Sequence, residues 1–178
     1  MSDIVSGVLA RSTLVLGGAR SGKSAFAENL AESASPARVY LATGTAGDAE
    51  MSDRIAHHRA RRGAGWRTVE EPLDLAGVLA REASEGVPVL VDCLTLWVTN
   101  LMLGGHDIER ATQTLCASLS GLNGPVIFVS NEVGLGIVPD NAMAREFRDH
   151  AGRVNQRVAA AAARVYFIAA GLPLTLKG

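Results

Sequence analysis

Residues Gly17-Gly18-Ala19-Arg20-Ser21-Gly22-Lys23-Ser24 fit the pattern GxxxxGK[ST]. Gly17 and Gly22 permit backbone angles that bulkier residues resist, so successive N–H groups can turn into one concavity. A helix opening directly after the loop adds its positive N-terminal end to the same spot. Lys23 brings a point charge for the outer phosphates of a nucleoside triphosphate, and the Ser24 hydroxyl can ligate Mg²⁺. The bland alternative is a glycine-rich turn with a solvated lysine. An apolar run before the pattern and a helical run after it favour the cradle. Asp92 closes a second apolar run, VPVLVD. An ionised carboxylate at a buried strand tip is costly unless it is paired or holds a metal. It either helps hold magnesium for the cradle or caps the helix that follows, and the nearby cradle favours magnesium.

The stretch Met51-Ser-Asp-Arg-Ile-Ala-His-His-Arg-Ala-Arg-Arg62 is the second place with chemistry in it. Read as a helix, it puts Met51, Ile55 and His58 on one stripe, with His57 turned toward Arg54 and Arg61. The arginines create a field suited to a triphosphate and disfavour protonation of the imidazole. A neutral imidazole is a competent nucleophile toward phosphorus. Spacing alone fits a buried structural histidine at least as well, because periodicity places a side chain without assigning it chemistry.

These residues need a scaffold, and the chain alternates strand and helix patterns. Apolar runs predict strands over 12–16, 38–42, 87–91, 125–129 and 165–169, with a sixth over 172–176 at an edge. Helical periodicity covers 24–34, 48–62, 73–83, 94–103, 108–122 and 142–163. Leu75, Val78 and Leu79 turn inward from one of these helices, and Phe147, Val154 and Val158 from another. The order predicts an α/β layered fold with a mostly parallel central sheet flanked by helices. Residues 1–11 are expected to be loose, ahead of a single catalytic domain over 12–178. The glycines at 63–65 and 104–105 read as loops.

Composition narrows the class. Of the 178 residues, 48% are hydrophobic and 20% charged, with a net charge of -1. That is enough apolar material for a sizeable core, without the basic excess of a nucleic-acid binder. Cys93 and Cys116 lack metal-binding or disulfide spacing, which is expected of reduced thiols in a cytoplasmic protein. The apolar stretch 87–103 is broken by polar residues, so no membrane span is expected.

Taken together, the motifs resemble a known family, the P-loop bifunctional adenosylcobinamide kinase/adenosylcobinamide-phosphate guanylyltransferases of cobalamin biosynthesis. The resemblance is carried by GGARSGKS, YLATGT at 40–45, RIxxH at 54–58 and WRT at 66–68. It continues through VDCLTLWVTNL at 91–101, SNEVGLGIVP at 130–139 and FRDHAGRVNQR at 147–157. It implies a RecA-like P-loop NTPase fold and two reactions. In the first, ATP or GTP phosphorylates the hydroxyl on the aminopropanol arm of adenosylcobinamide. In the second, GTP gives its GMP to a histidine, and the phosphorylated cobinamide takes it as adenosyl-GDP-cobinamide. The histidine corresponds to His58, with Lys23 as the second catalytic residue. By the same resemblance Thr43, Gly44, Thr45, Arg59, Ala60, Arg61, Arg62, Glu70 and Asp92 contact nucleotide. Ser24 and Asp92 serve Mg²⁺, and the chain forms a homo-oligomer, a trimer by resemblance.

Some relatives carry Glu where this chain has Asp92, which leaves open whether the metal is held directly or through water. The guanine signature NKxD is absent, so guanine preference rests on the resemblance. Glu132 is either a base or supporting carboxylate, or a hydrogen-bonded turn residue. Two other functions fit the cradle alone: a small-molecule kinase with no nucleotidyl step, and a regulatory nucleotide switch.

Overall fold

The computed structural model describes residues 9–44 and 63–178. Successive side chains of the apolar runs go to opposite faces, as strand geometry requires, and both faces are covered. Leu14 and Leu16 of β1 (Ser12–Gly17) join one buried cluster, while Val15 between them joins the other. The same alternation sorts Leu41 from Tyr40 in β2 (Arg38–Ala42), Val89 and Val91 from Leu90 in β4 (Val89–Asp92), and Phe128 from Ile127 and Val129 in β5 (Val126–Asn131). With β3 (Trp66–Glu70), β6 (Arg164–Ala169) and β7 (Leu172–Lys177) these strands form one seven-stranded sheet, in the order β3-β2-β4-β5-β1-β6-β7. All neighbours pair in parallel except β7, which returns antiparallel to β6.

Helix α1 (Lys23–Ala34) packs on one face through Ala27 and Ala31, whose small side chains let it approach closely. The other face carries α2 (Leu75–Glu82), α3 (Leu94–Leu103), α4 (Ile108–Ser118) and α5 (Ala142–Ala161). The stripes predicted for α2 and α5 hold, while the one predicted for Met51, Ile55 and His58 lies outside the described residues. Leu75, Val78 and Leu79 of α2 are buried, as are Val154 and Val158 of α5, with Phe147 packed against the same cluster. Among the described residues no helix is long and apolar enough to cross a membrane.

Among the described residues the structure departs most from the sequence reading in two elements. The helix expected over 108–122 stops at Ser118, and a 3₁₀ turn follows over Leu119–Gly121. Strand β3 was not expected at all, because WRTVE lacks an apolar run. It lies at the edge of the sheet, where Arg67 is exposed and reaches Glu82. Its anchor is Trp66, which meets Tyr40 edge-on at 6.3 Å and lies under the Arg38 guanidinium at 5.0 Å.

Candidate active site

Because β1 to β6 run in parallel, their carboxyl ends share one edge, where ligands of open α/β sheets bind. The phosphate loop leaves β1 at this edge. Gly22 ends it at φ 95° and Arg20 sits at φ 57°, both left-handed, and this curls the chain into a cup. A side chain on Gly17 would place its Cβ 2.5 Å from Ser21 Oγ and 2.7 Å from the Ile168 carbonyl, so glycine is required there. The first turn of α1 has no side-chain cap, so its free N–H groups face outward at the positive end of the helix. Lys23 Nζ donates to the Gly18 carbonyl at 3.1 Å and so lies over the cup. Burial holds the Lys23 ammonium below its ordinary pKa, an effect partly offset by the negative charge of Asp92.

Asp92 is held from the side of β2. The Tyr40 hydroxyl donates to Asp92 Oδ2 at 3.0 Å, and the Thr43 N–H donates to the Asp92 carbonyl at 3.2 Å. The cap of α3 is Cys93, whose side chain makes no capping bond. Asp92 is therefore not the helix cap that its position allowed. The Thr43 hydroxyl is fully buried. It accepts from Cys93 N–H at 2.8 Å and donates to the Cys93 carbonyl at 2.7 Å, clasping the backbone where the chain leaves β4. Asn100 Nδ2 then ties the Thr43 carbonyl to that of Pro72, at 2.7 and 3.1 Å. Burial, with the charge of Asp92 as the lesser cause, pushes the Cys93 thiol up to about 11.

The tip of β5 has a second buried clasp. Ser130 Oγ donates to Asn155 Oδ1 of α5 at 2.7 Å. Thr95 Oγ1 accepts from Asn131 N–H at 2.8 Å, and Asn155 Nδ2 donates to the Asn131 carbonyl at 3.2 Å. The Glu132 N–H then donates to the Gly17 carbonyl at 3.1 Å, so the chain beyond β5 is bonded to the start of the phosphate loop. From the other side, Gly171 N–H in the β6–β7 turn donates to the Ser21 carbonyl at 2.8 Å.

Comparison with known proteins identifies the assembly. The family model described as cobinamide kinase / cobinamide phosphate guanyltransferase matches residues 13–176. The chain belongs to this family. It is 52% identical over 167 residues to the "Bifunctional adenosylcobalamin biosynthesis protein CobP" of Pseudomonas aeruginosa, spanning 93% of this chain and 96% of that one. It is 44% identical to the "Bifunctional adenosylcobalamin biosynthesis protein CobU" of Salmonella typhimurium, over 92% of this chain and 98% of that one. Among solved structures, an ATPase from the type III secretion system of pathogenic bacteria superposes at a TM-score of 0.58. It is 12% identical and covers 95% of this chain and 59% of its own, a likeness of fold. The expected α/β P-loop NTPase architecture is therefore present.

Along the shared edge lie Gly17, Gly18, Ala19, Arg20, Ser21, Gly22, Lys23, Ser24, Thr43, Gly44 and Asp92. Glu70 ends β3 on the far flank, four strand spacings or about 19 Å from the loop. Thr45, His58, Arg59, Ala60, Arg61 and Arg62 lie outside the described residues. Ser24 and Asp92 offer a hydroxyl and a carboxylate, hard oxygen donors that suit Mg²⁺. Among the described residues no group of three or more acidic, histidine or cysteine side chains is placed to hold a metal ion.

Sequence reasoning missed both clasps and the Gly171 contact. The only trace of the clasps was polar residues in otherwise apolar motifs: Thr43, Thr95 and Asn100, Ser130 and Asn131, and Asn155.

Proposed function

We propose that this chain phosphorylates adenosylcobinamide with ATP or GTP, then transfers GMP from GTP through His58 to give adenosyl-GDP-cobinamide. The observation that carries the reading is the family match over residues 13–176, with a phosphate cup facing a held carboxylate at the shared edge. The cup binds the phosphates through backbone N–H groups, and Lys23 meets the outer ones. Its ammonium lies partly out of water, so it regains through the phosphates the interactions that burial removed. Ser24 and Asp92 would hold Mg²⁺, which would supply charge neutralisation for the phosphates. His58 attacks the α-phosphorus of GTP and forms a phosphorus–nitrogen bond as pyrophosphate leaves. The cobinamide phosphate then displaces the imidazole. Thr43, Gly44, Thr45, Arg59, Ala60, Arg61, Arg62, Glu70 and Asp92 complete the nucleotide contacts.

The catalytic domain spans 12–178, and the protein works in the cytoplasm as a homo-oligomer, a trimer by resemblance. Self-association is supported by the exposed apolar side chains of two segments, Leu135, Ile137, Val138 and Met143 in one and Leu172, Leu174 and Leu176 in the other.

The test is incubation with Mg²⁺ and GTP labelled at the α- or the γ-phosphate. Acid-labile α-label should stay on the protein and map to His58, and γ-label should pass to adenosylcobinamide. His58→Ala should lose the adduct and keep part of the kinase step, while Lys23→Ala should weaken both. Kinase transfer with no protein-bound α-label would reduce the chain to a plain kinase.

A further inference from the structure

We propose that Glu132 is the general base of the kinase step and plays no part in guanylyl transfer. This rests on the reading of the two reactions given above. Strand β5 lies between β4, which carries Asp92, and β1, which carries the phosphate loop. Asp92 is in register with Val129, so Glu132 stands three residues further out, beyond the carboxyl edge. Its N–H is bonded to the Gly17 carbonyl at 3.1 Å. Glu132 thus leaves the strand that lies between the strand of Asp92 and the strand that leads into the cup.

The second observation is the support beneath it. Ser130, Thr95 and Asn155 are buried polar side chains joined in one network, and it ends on both main-chain groups of Asn131. Burying three such groups is unfavourable unless every member is satisfied. This chain satisfies them by fixing the residue before Glu132. Such support beneath a reactive group holds it within a fraction of an ångström of its working position. Glu132 is half-buried, and one carboxylate oxygen accepts from Gly134 N–H at 2.6 Å, which sets the side chain and leaves Oε2 without a hydrogen bond to any of the described residues. The turn bond foreseen as an alternative role is present, and it occupies only one oxygen.

Chemistry divides the two reactions. In the kinase step an alcohol must attack. Its oxygen bonds to the γ-phosphorus, its proton passes to Glu132 Oε2, and the γ-phosphorus–oxygen bond to the nucleoside diphosphate breaks. Glu132 then releases the proton to water. In guanylyl transfer the attacking groups are an imidazole and then a phosphomonoester. The latter is already largely ionised at neutral pH, with a second pKa of about 6, so neither needs this base. The acidic residue that takes the hydroxyl proton in protein kinases serves the same need.

The experiment compares wild type with Glu132→Gln and Glu132→Asp, with folding checked by thermal melts. Three rates are measured separately: γ-phosphate transfer to adenosylcobinamide, GMP-adduct formation from GTP alone, and GMP transfer to pre-made adenosylcobinamide phosphate. Glu132→Gln should lower the kinase kcat by roughly 10²–10⁴-fold, the usual worth of a general base, and leave both guanylyl rates within about twofold. Glu132→Asp should recover part of the kinase rate. A Gln variant whose kinase rate stays within about fivefold of wild type would overturn the proposal. So would a parallel loss of all three rates, which would make Glu132 a support of the loop. Wild type that phosphorylates no cobinamide would instead sink the reading on which this one stands.

Discussion

Strands β5 and β7 are both six residues long and both rich in apolar side chains, VIFVSN against LPLTLK, yet their surroundings are opposite. In β5, Val126 to Ser130 are all buried between α1 on one face and the α3–α5 layer on the other. In β7 every residue is exposed, and Leu172, Leu174 and Leu176 keep 71%, 59% and 55% of their surface in water. Apolar content therefore did not decide burial here. Place in the sheet did: β5 has a strand on each side, whereas β7 pairs only with β6. The difference also divides the work. The enclosed strand anchors the residues beside the phosphate loop, and the open one leaves its apolar side chains exposed.

The sharpest way to test that contrast is to hollow out β5. Phe128→Ala should cost about 3–5 kcal/mol, the usual range for truncating an enclosed aromatic residue, read as the urea midpoint at constant slope. A loss below about 1 kcal/mol would mean that β5 is not the enclosed strand described. Next in size is the clasp at the end of β4. Thr43→Val keeps the shape but strands the buried Cys93 N–H, while the Cys93 carbonyl keeps the Trp97 N–H, and should destabilise by about 1–3 kcal/mol.

A smaller effect should appear at alkaline pH. The Cys93 thiol is raised from 9.0 to about 11, so the fold favours its protonated form. That contribution is whole below about pH 9 and is lost as pH rises through about 11. Unfolding free energies at successive pH values, set beside those of Cys93→Ala, should show the wild type losing its excess across this window. Native Cys93 that reacts with iodoacetamide at pH 8 as fast as in urea would contradict its enclosure. Smallest of all, Leu174→Ala in β7 should change the stability of the isolated chain by no more than about 0.5 kcal/mol. Leu174→Asp should lower the sedimentation mass if this strand is where copies meet.

How much was legible beforehand depends on how local each feature is. The phosphate loop was readable from eight consecutive residues, because glycine's freedom and the lysine–serine pair act within one turn of chain. The buried strands were readable from their apolar runs, and α2 and α5 from their stripes. Strand β3 was not, because WRTVE carries too little apolar surface and owes its place to Trp66 meeting Tyr40 and Arg38 across the sheet. The position of Glu132 was not legible either. Its bond to Gly17 joins residues 115 apart in the chain, and no spacing rule reaches that far.

The sequence by itself determined that a phosphate cup would follow the first strand, that strands and helices would alternate, and which faces would be apolar. These follow from the backbone freedom and side-chain periodicity of neighbouring residues. Only the tertiary structure decided that Asp92 would answer to Tyr40 rather than cap α3, that Thr43 would spend its hydroxyl on Cys93, and that Glu132 would stand beside Gly17. Strand order makes those neighbours, and strand order is set by how two layers of helices close over the sheet.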